Sequence, residues 1–85
     1  MELDRTIELM LSENYQDRFK AEYYQLLIRR DKVQRLIDNW DYLSFDPVCS
    51  KVVFESQIEA MDNYLFILDH RAHIENIIIN RKEIE

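Results

Sequence analysis

The chain of 85 residues contains no glycine, one proline and one cysteine. Without glycine few positions favour the left-handed backbone of tight turns and helix ends, so we expect an all-α fold. Glycine-rich loops that cradle phosphates are excluded as well. The cysteine, Cys49, leaves no partner for an internal disulfide, and no Cys/His cluster has the spacing of zinc ligands. These absences predict a protein without a metal or a cofactor.

Long apolar runs are also missing. No stretch approaches the roughly 20 apolar residues of a membrane span. The first eleven residues are charged and amphipathic rather than a secretory signal. We therefore expect a cytoplasmic protein that has no membrane partner.

Two apolar ladders, here meaning residues at alternating four- and three-residue spacing, lie on either side of Pro47. Such residues share one face of a helix. The first ladder is Phe19, Tyr23, Leu26, Arg30, Val33, Ile37 and Trp40, and the second is Phe54, Ile58, Met61, Leu65, Leu68 and Ala72. We predict one helical domain over residues 1–85: an N-terminal amphipathic segment (1–13), then an antiparallel hairpin of two helices (15–43 and 51–81).

The second predicted helix carries more apolar surface than one hairpin buries. A second face includes Tyr64, Ile67, Ile74 and Ile78. This face needs the N-terminal segment, another chain, or both as a partner. Because chains of this size usually need extra support, we expect a homo-oligomer that uses these four residues as its interface.

Charge is unevenly distributed within a net charge of −6. Residues 18–35 hold six basic side chains against two acidic ones, and the remainder is strongly acidic. An acidic body repels long polyanions, so DNA and RNA polymers are not expected partners. The basic stripe either pairs with acids of the other helix or holds a small anion.

Chemistry-bearing residues are few. His70 and His73 lack the Glu-x-x-His pairs of helical metal sites, and nothing predicts catalysis. Arg30 and Arg71 stand at positions where apolar residues are expected. Each forms either an ion pair that fixes helix register or part of an anion site.

A resemblance covers roughly residues 15 to 75. The spacing of Tyr15, Arg18, Glu22, Tyr23 and Leu26 resembles the first helix of a family of small phage-encoded helical hairpins. The order of residues in the second half is similar to that family's second helix: Gln57, Ala60, Met61, Tyr64, Leu68 and Arg71. This family is similar to the hairpin domain of the anti-CBASS and anti-Thoeris proteins.

Those proteins are sponges, which means oligomers that bind cyclic nucleotide immune signals without cleaving them. Their ligand pockets lie between protomers. The resemblance implies a phage anti-defence protein in a bacterial host cell, with a small cyclic nucleotide as its ligand. It implies that Tyr15 stacks on a base, that Arg30 holds a phosphate with Lys32 beside it, and that Arg71 lines a second anion pocket. Arg18 completes the predicted ligand-binding set.

Two other functions remain open at the level of the sequence. One is an anti-CRISPR-like inhibitor that uses its acidic surface to bind a protein of a host defence complex. The other is a helical assembly module that has no small ligand. A retained basic, tyrosine-bearing stripe argues against mimicry of DNA.

Overall fold

The computed structural model describes residues 2–83 and, among these residues, contains helices and no strand. Its elements in chain order are a 3-10 helix (Leu3–Thr6), α1 (Ile7–Met10), α2 (Tyr15–Asp38), a 3-10 helix (Trp40–Tyr42), α3 (Lys51–Glu75) and a 3-10 helix (Arg81–Glu83). The predicted all-α class is confirmed. The molecule is elongated, with extents of 42 × 24 × 20 Å.

Helices α2 and α3 form the predicted antiparallel hairpin. The hydroxyl of Tyr15 at the start of α2 donates to Glu75 at the end of α3. Further along α2, Arg30 reaches Asp62, which lies nearer the start of α3. The contacts therefore run in opposite directions along the two helices.

Helix α2 begins where the sequence predicts a break. Asn14 has extended backbone angles, and its side-chain oxygen accepts a 2.8 Å hydrogen bond from the backbone N–H of Gln16. Ser12 supports the same turn because its hydroxyl binds Asp17. This capping satisfies a backbone donor that has no partner within the helix.

Helix α2 ends at Asp38, so the predicted end at residue 43 is wrong. The backbone carbonyl of Arg35 in the last turn accepts two hydrogen bonds from Asn39, from its backbone N–H at 3.1 Å and from its side-chain amide at 2.8 Å. A separate 3-10 turn follows, and it brings Trp40 to 6.0 Å from the ring of Phe54. Trp40 therefore packs against α3 although α2 does not continue as far as Trp40.

Helix α3 ends at Glu75, so the predicted end at residue 81 is also wrong. Asn76 adopts left-handed backbone angles (φ 57°, ψ 40°). The N–H of Ile77 then donates to the carbonyl of Ala72 at 2.9 Å, and the N–H of Asn76 reaches His73. This is a Schellman motif in which asparagine takes the place usually filled by glycine.

The core lies at the end of the hairpin that holds the start of α2 and the end of α3. Its buried members are Phe19, Tyr23, Tyr24, Leu27, Leu65, Leu68, Ala72 and Ile77, with Leu9, Leu26 and Ile79 packed against them. Leu9 comes from α1, whereas Ile77 and Ile79 come from the segment after α3. Four parts of the chain therefore meet there, which explains why α2 buries more than its ladder face.

The N-terminal segment packs on α2. Thr6 is fully buried, and its hydroxyl accepts a 2.8 Å hydrogen bond from the side chain of Gln25. The face of α2 that carries Phe19 and Tyr23 is covered by α3, while the face that carries Gln25 is covered by the N-terminal segment.

No helix in the described part of the chain is long and apolar enough to cross a bilayer.

The second apolar face of α3 remains uncovered in the single chain. Tyr64, Ile67 and Ile74 are 44%, 56% and 63% exposed. Tyr64 is partly engaged, because its hydroxyl donates to Glu22 of α2, and this hydrogen bond raises the pKa of the phenol. Ile78 lies beyond α3, not on it as predicted, and is 83% exposed. We call Tyr64, Ile67 and Ile74 the outer face.

Candidate ligand-binding site

A groove of about 720 Å³ runs between α2 and α3 on the side where the C-terminal segment (residues 76–83) returns. Its lining combines three arginines, three aspartates and three apolar residues: Arg30, Arg35, Arg81, Asp31, Asp62, Asp69, Leu27, Leu65 and Phe66. We call this the central groove. Its charged groups lie around an apolar floor contributed by both helices.

Arg30 enters the groove from α2 as part of an ion pair. Its Nε donates to Asp62 at 2.8 Å, its Nη2 reaches the other oxygen of Asp62 at 3.4 Å, and its Nη1 reaches Asp31 at 3.4 Å. The hydrogen bond to Asp62 raises the pKa of the Arg30 guanidinium. The ion-pair alternative considered for Arg30 is therefore present within one chain. The pair is partly exposed, so a ligand can still approach it.

Arg81 enters the same groove from the C-terminal segment. Its Nε donates to the hydroxyl of Tyr23 at 2.9 Å, and its Nη2 reaches Asp69 at 3.2 Å. Burial lowers the pKa of Arg81, but the Tyr23 and Asp69 contacts outweigh it and leave the pKa raised. The guanidinium lies 5.6 Å from the centre of the Tyr23 ring, within the range of a cation–π contact.

Tyr23 is the buried partner in this cluster. Its hydroxyl donates to Asp69 at 2.7 Å while it accepts from Arg81. Burial and the hydrogen bond to Asp69 raise the pKa of Tyr23 to about 12. The phenol is therefore neutral at physiological pH and acts as a fixed donor and acceptor.

Arg35 and Phe66 are the least constrained members of the lining. Within residues 2–83, the side chain of Arg35 makes no hydrogen bond or ion pair. Phe66 is 74% exposed and presents its ring at the groove. A free guanidinium and an exposed ring in the same groove suit a ligand that has both a phosphate and a base.

A second cluster lies at the core end of the hairpin. Nη2 of Arg71 donates to the hydroxyl of Tyr15 at 2.9 Å, and that hydroxyl donates to Glu75 at 2.7 Å. Arg71 also reaches Glu75 through its Nε and lies 5.1 Å from the ring centre of Phe19. The hydrogen bond to Tyr15 raises the pKa of Arg71.

The five predicted ligand-binding residues fall into four places. Tyr15 and Arg71 meet in the second cluster, which joins two residues that the sequence assigned to different pockets. Arg30 lines the central groove, roughly 22 Å from Tyr15 along α2 at 1.5 Å per residue. Arg18 instead donates to the backbone carbonyl of Ser12 at 2.8 Å, and Lys32 is exposed outside the groove lining.

The sequence did not predict Arg35, Arg81 or Phe66 as site residues. Arg81 was missed because the helix was expected to continue through Ile77. An asparagine followed by an apolar residue at a helix end was the available signal for a turn there. Phe66 lies outside both apolar faces of α3, so periodicity gave it no role.

Metal ligation finds no support among residues 2–83, which contain no group of three or more His, Cys, Asp or Glu side chains that could hold an ion. His70 and His73 are exposed on α3. The arrangement offers guanidinium donors, carboxylate acceptors and aromatic rings, which are groups for binding.

Residues 13–74 match the family model of Sequestin. The chain belongs to the Sequestin family. The Sequestin match covers α2, the connection and α3 except its last residue, so it ends before the Asn76 turn and leaves out α1. No curated protein and no solved structure matched the chain in the other two comparisons.

Proposed function

We propose that this protein is a phage anti-defence protein that sequesters a small cyclic nucleotide immune signal without chemical conversion. The name of the Sequestin family, which denotes sequestration, supports binding as the function. The resemblance of the two long helices to anti-CBASS and anti-Thoeris sponges supports a cyclic nucleotide as the ligand.

The central groove is the main structural support for this proposal. Its volume of about 720 Å³ lies within the range of small-molecule sites, roughly 300–1,000 Å³. Three guanidinium groups line it, and guanidinium binds phosphate through paired hydrogen bonds. Leu27, Leu65 and Phe66 supply apolar contact for a base or ribose.

We further propose that binding requires a homo-oligomer. Tyr15 and Arg30 lie too far apart along α2 for both to contact one small ligand from the same chain. A second protomer would bring its Tyr15 and Arg71 cluster to the first protomer's Arg30. Packing through the outer face would supply this second protomer.

An assembly module without a ligand is the second candidate function, and the outer face favours it. Ile67 and Ile74 expose apolar surface that the rest of the described chain leaves uncovered. A surface of this kind suits a helix of another copy or of another protein. Ligand binding separates the two candidates, since the module requires none.

A thermal-shift panel with cyclic di-AMP, cyclic GMP–AMP, cyclic tri-AMP and cyclic ADP-ribose tests the proposal. A ligand at one hundred times its dissociation constant should stabilise the fold by about 2.7 kcal/mol. Linear AMP serves as the control, because it has the same base and a phosphate but no ring closure. No stabilisation by any cyclic nucleotide would favour the assembly module.

The shared pocket has its own test. Tyr15→Ala and Arg30→Gln should each abolish binding of the cyclic nucleotide that the panel selects. Oligomers mixed from the two variants should regain partial binding, because some interfaces then carry one intact copy of each residue. Mixed oligomers that form but do not bind would refute the shared pocket.

A further inference from the structure

The C-terminal segment holds Arg81 in the central groove through contacts that do not involve the guanidinium. Ile77 is buried in the core, and Ile79 packs against it. The backbone N–H of Asn80 donates to the hydroxyl of Tyr24 at 3.2 Å. The backbone that leads to Arg81 is therefore anchored at residues 77, 79 and 80.

The guanidinium of Arg81 has binding capacity left in the free protein. Its Nε and Nη2 donate to Tyr23 and Asp69, while arginine carries five N–H donors in all. The side chain is 55% exposed and lines the groove together with Arg30 and Arg35. Tyr23 and Asp69 fix the head group in place without covering it.

We propose that Arg81 is a phosphate-binding residue of the central groove, supplied from outside the region that defines the Sequestin family. This inference rests on the proposed function and extends it to a residue beyond the matched range of 13–74. A cyclic nucleotide carries at least one negative phosphate, which accepts two hydrogen bonds from a guanidinium in the manner of a carboxylate.

Asp69 then has a defined part in binding. Its carboxylate accepts from Arg81 at 3.2 Å, and a ligand phosphate would compete for the same N–H group. Its negative charge also repels a phosphate in the groove. Asp69 therefore positions Arg81 in the free protein and weakens anion binding, whereas the Tyr23 hydroxyl keeps its bond to Arg81 in both states.

Calorimetry with cyclic di-AMP and with inorganic pyrophosphate tests this assignment on the 85-residue chain. Arg81→Gln should weaken binding about tenfold or more, because a charge-assisted pair of hydrogen bonds is lost. Lys82→Gln is the matched control, since it removes the same charge from the next residue and lies outside the groove lining. The control should change affinity less than about twofold. Circular dichroism and assembly size check that each variant is folded.

Asp69→Asn gives a test of opposite sign. Removing this carboxylate should tighten the binding of either probe several-fold, because it frees Arg81 and removes the repulsion. A purely structural role for the Asp69 and Arg81 pair predicts the reverse, since both variants would then loosen the segment and weaken binding alike.

The possible failures are distinguishable. If wild type binds cyclic di-AMP and Arg81→Gln binds it equally well, the assignment of Arg81 is overturned while the proposed function stands. Weaker binding by Asp69→Asn also overturns it. If wild type binds no cyclic nucleotide, the proposed function fails, and the pyrophosphate titration then tests the role of Arg81 alone. The role is overturned if wild type and Arg81→Gln bind pyrophosphate equally well, or if neither binds it.

Discussion

Tyr23 joins three parts of the molecule through one phenol group. It lies on α2, donates to Asp69 of α3 and accepts from Arg81 of the C-terminal segment. Because the phenol is buried, loss of either bond would leave a polar group without water. The residue therefore couples hairpin packing to the position of a groove arginine.

The raised pKa of Tyr23 predicts a specific loss of stability in alkali. Since the pKa of a tyrosine rises from 10.0 in the unfolded chain to about 12 in the fold, this contribution is complete below pH 10. It declines as pH rises from about 10 to about 12. Urea unfolding followed across this range should show the decline, and Tyr23→Phe should reduce it.

The matched control is Tyr42→Phe, because Tyr42 is almost fully exposed. Tyr23→Phe should also lower the free energy of unfolding at pH 8 by about 1–2 kcal/mol, since Asp69 and Arg81 lose a partner. Equal stability of both variants at pH 8, with the same decline in alkali, would contradict the role of Tyr23.

The ends of the helices decide where the site residues lie. The sequence predicted the all-α class and the hairpin, because apolar spacing is a local signal. It did not predict the end of α3, since glycine was absent and Ile77 to Ile79 continue an apolar pattern. The left-handed turn at Asn76 redirects these residues, and Arg81 reaches the groove as a result.

Asn76 should tolerate glycine and reject alanine. Its left-handed angles cost a residue with a Cβ about 1–2 kcal/mol, which asparagine partly avoids. We expect Asn76→Gly to leave the free energy of unfolding unchanged or raised, and Asn76→Ala to lower it by about 1 kcal/mol. Chemical denaturation measures both. A variant pair of equal stability would mean that this turn contributes little to the fold.

Arg30 shows why the candidate site could be predicted only in part. Its place in an apolar ladder marked it as unusual, but the sequence left ion pairing and anion binding as alternatives. The structure pairs it with Asp62 and also places it in the groove lining, so the ion pair is present and anion binding stays a prediction. Arg81 could not be selected, because its place depends on how the C-terminal segment folds back on the hairpin. Arg35 lies on α2, and its place in the groove depends on how α3 packs against that helix.

The uncovered outer face predicts self-association of the protein. Ile67→Asp should break the oligomer, because a carboxylate without a partner would enter an apolar contact. The isolated chain should still fold, since Ile67 is more than half exposed in it. Light scattering measures the assembly size and circular dichroism the helicity.

Val48→Asp is the control for added charge, as Val48 is fully exposed in the connection between α2 and α3. It should leave the assembly unchanged. If wild type is a stable monomer of 10.5 kDa, the outer face is not a self-association surface and the two-protomer pocket is lost.

Recovery of the bound ligand distinguishes sequestration from chemical conversion. Protein in molar excess is mixed with the cyclic nucleotide that the thermal panel selects, and free ligand is measured in a filtrate by liquid chromatography. We predict that the ligand disappears from the filtrate and returns intact, in stoichiometric amount, after the protein is denatured by heat. Ligand that stays in the filtrate, or that returns linearised, would contradict the account.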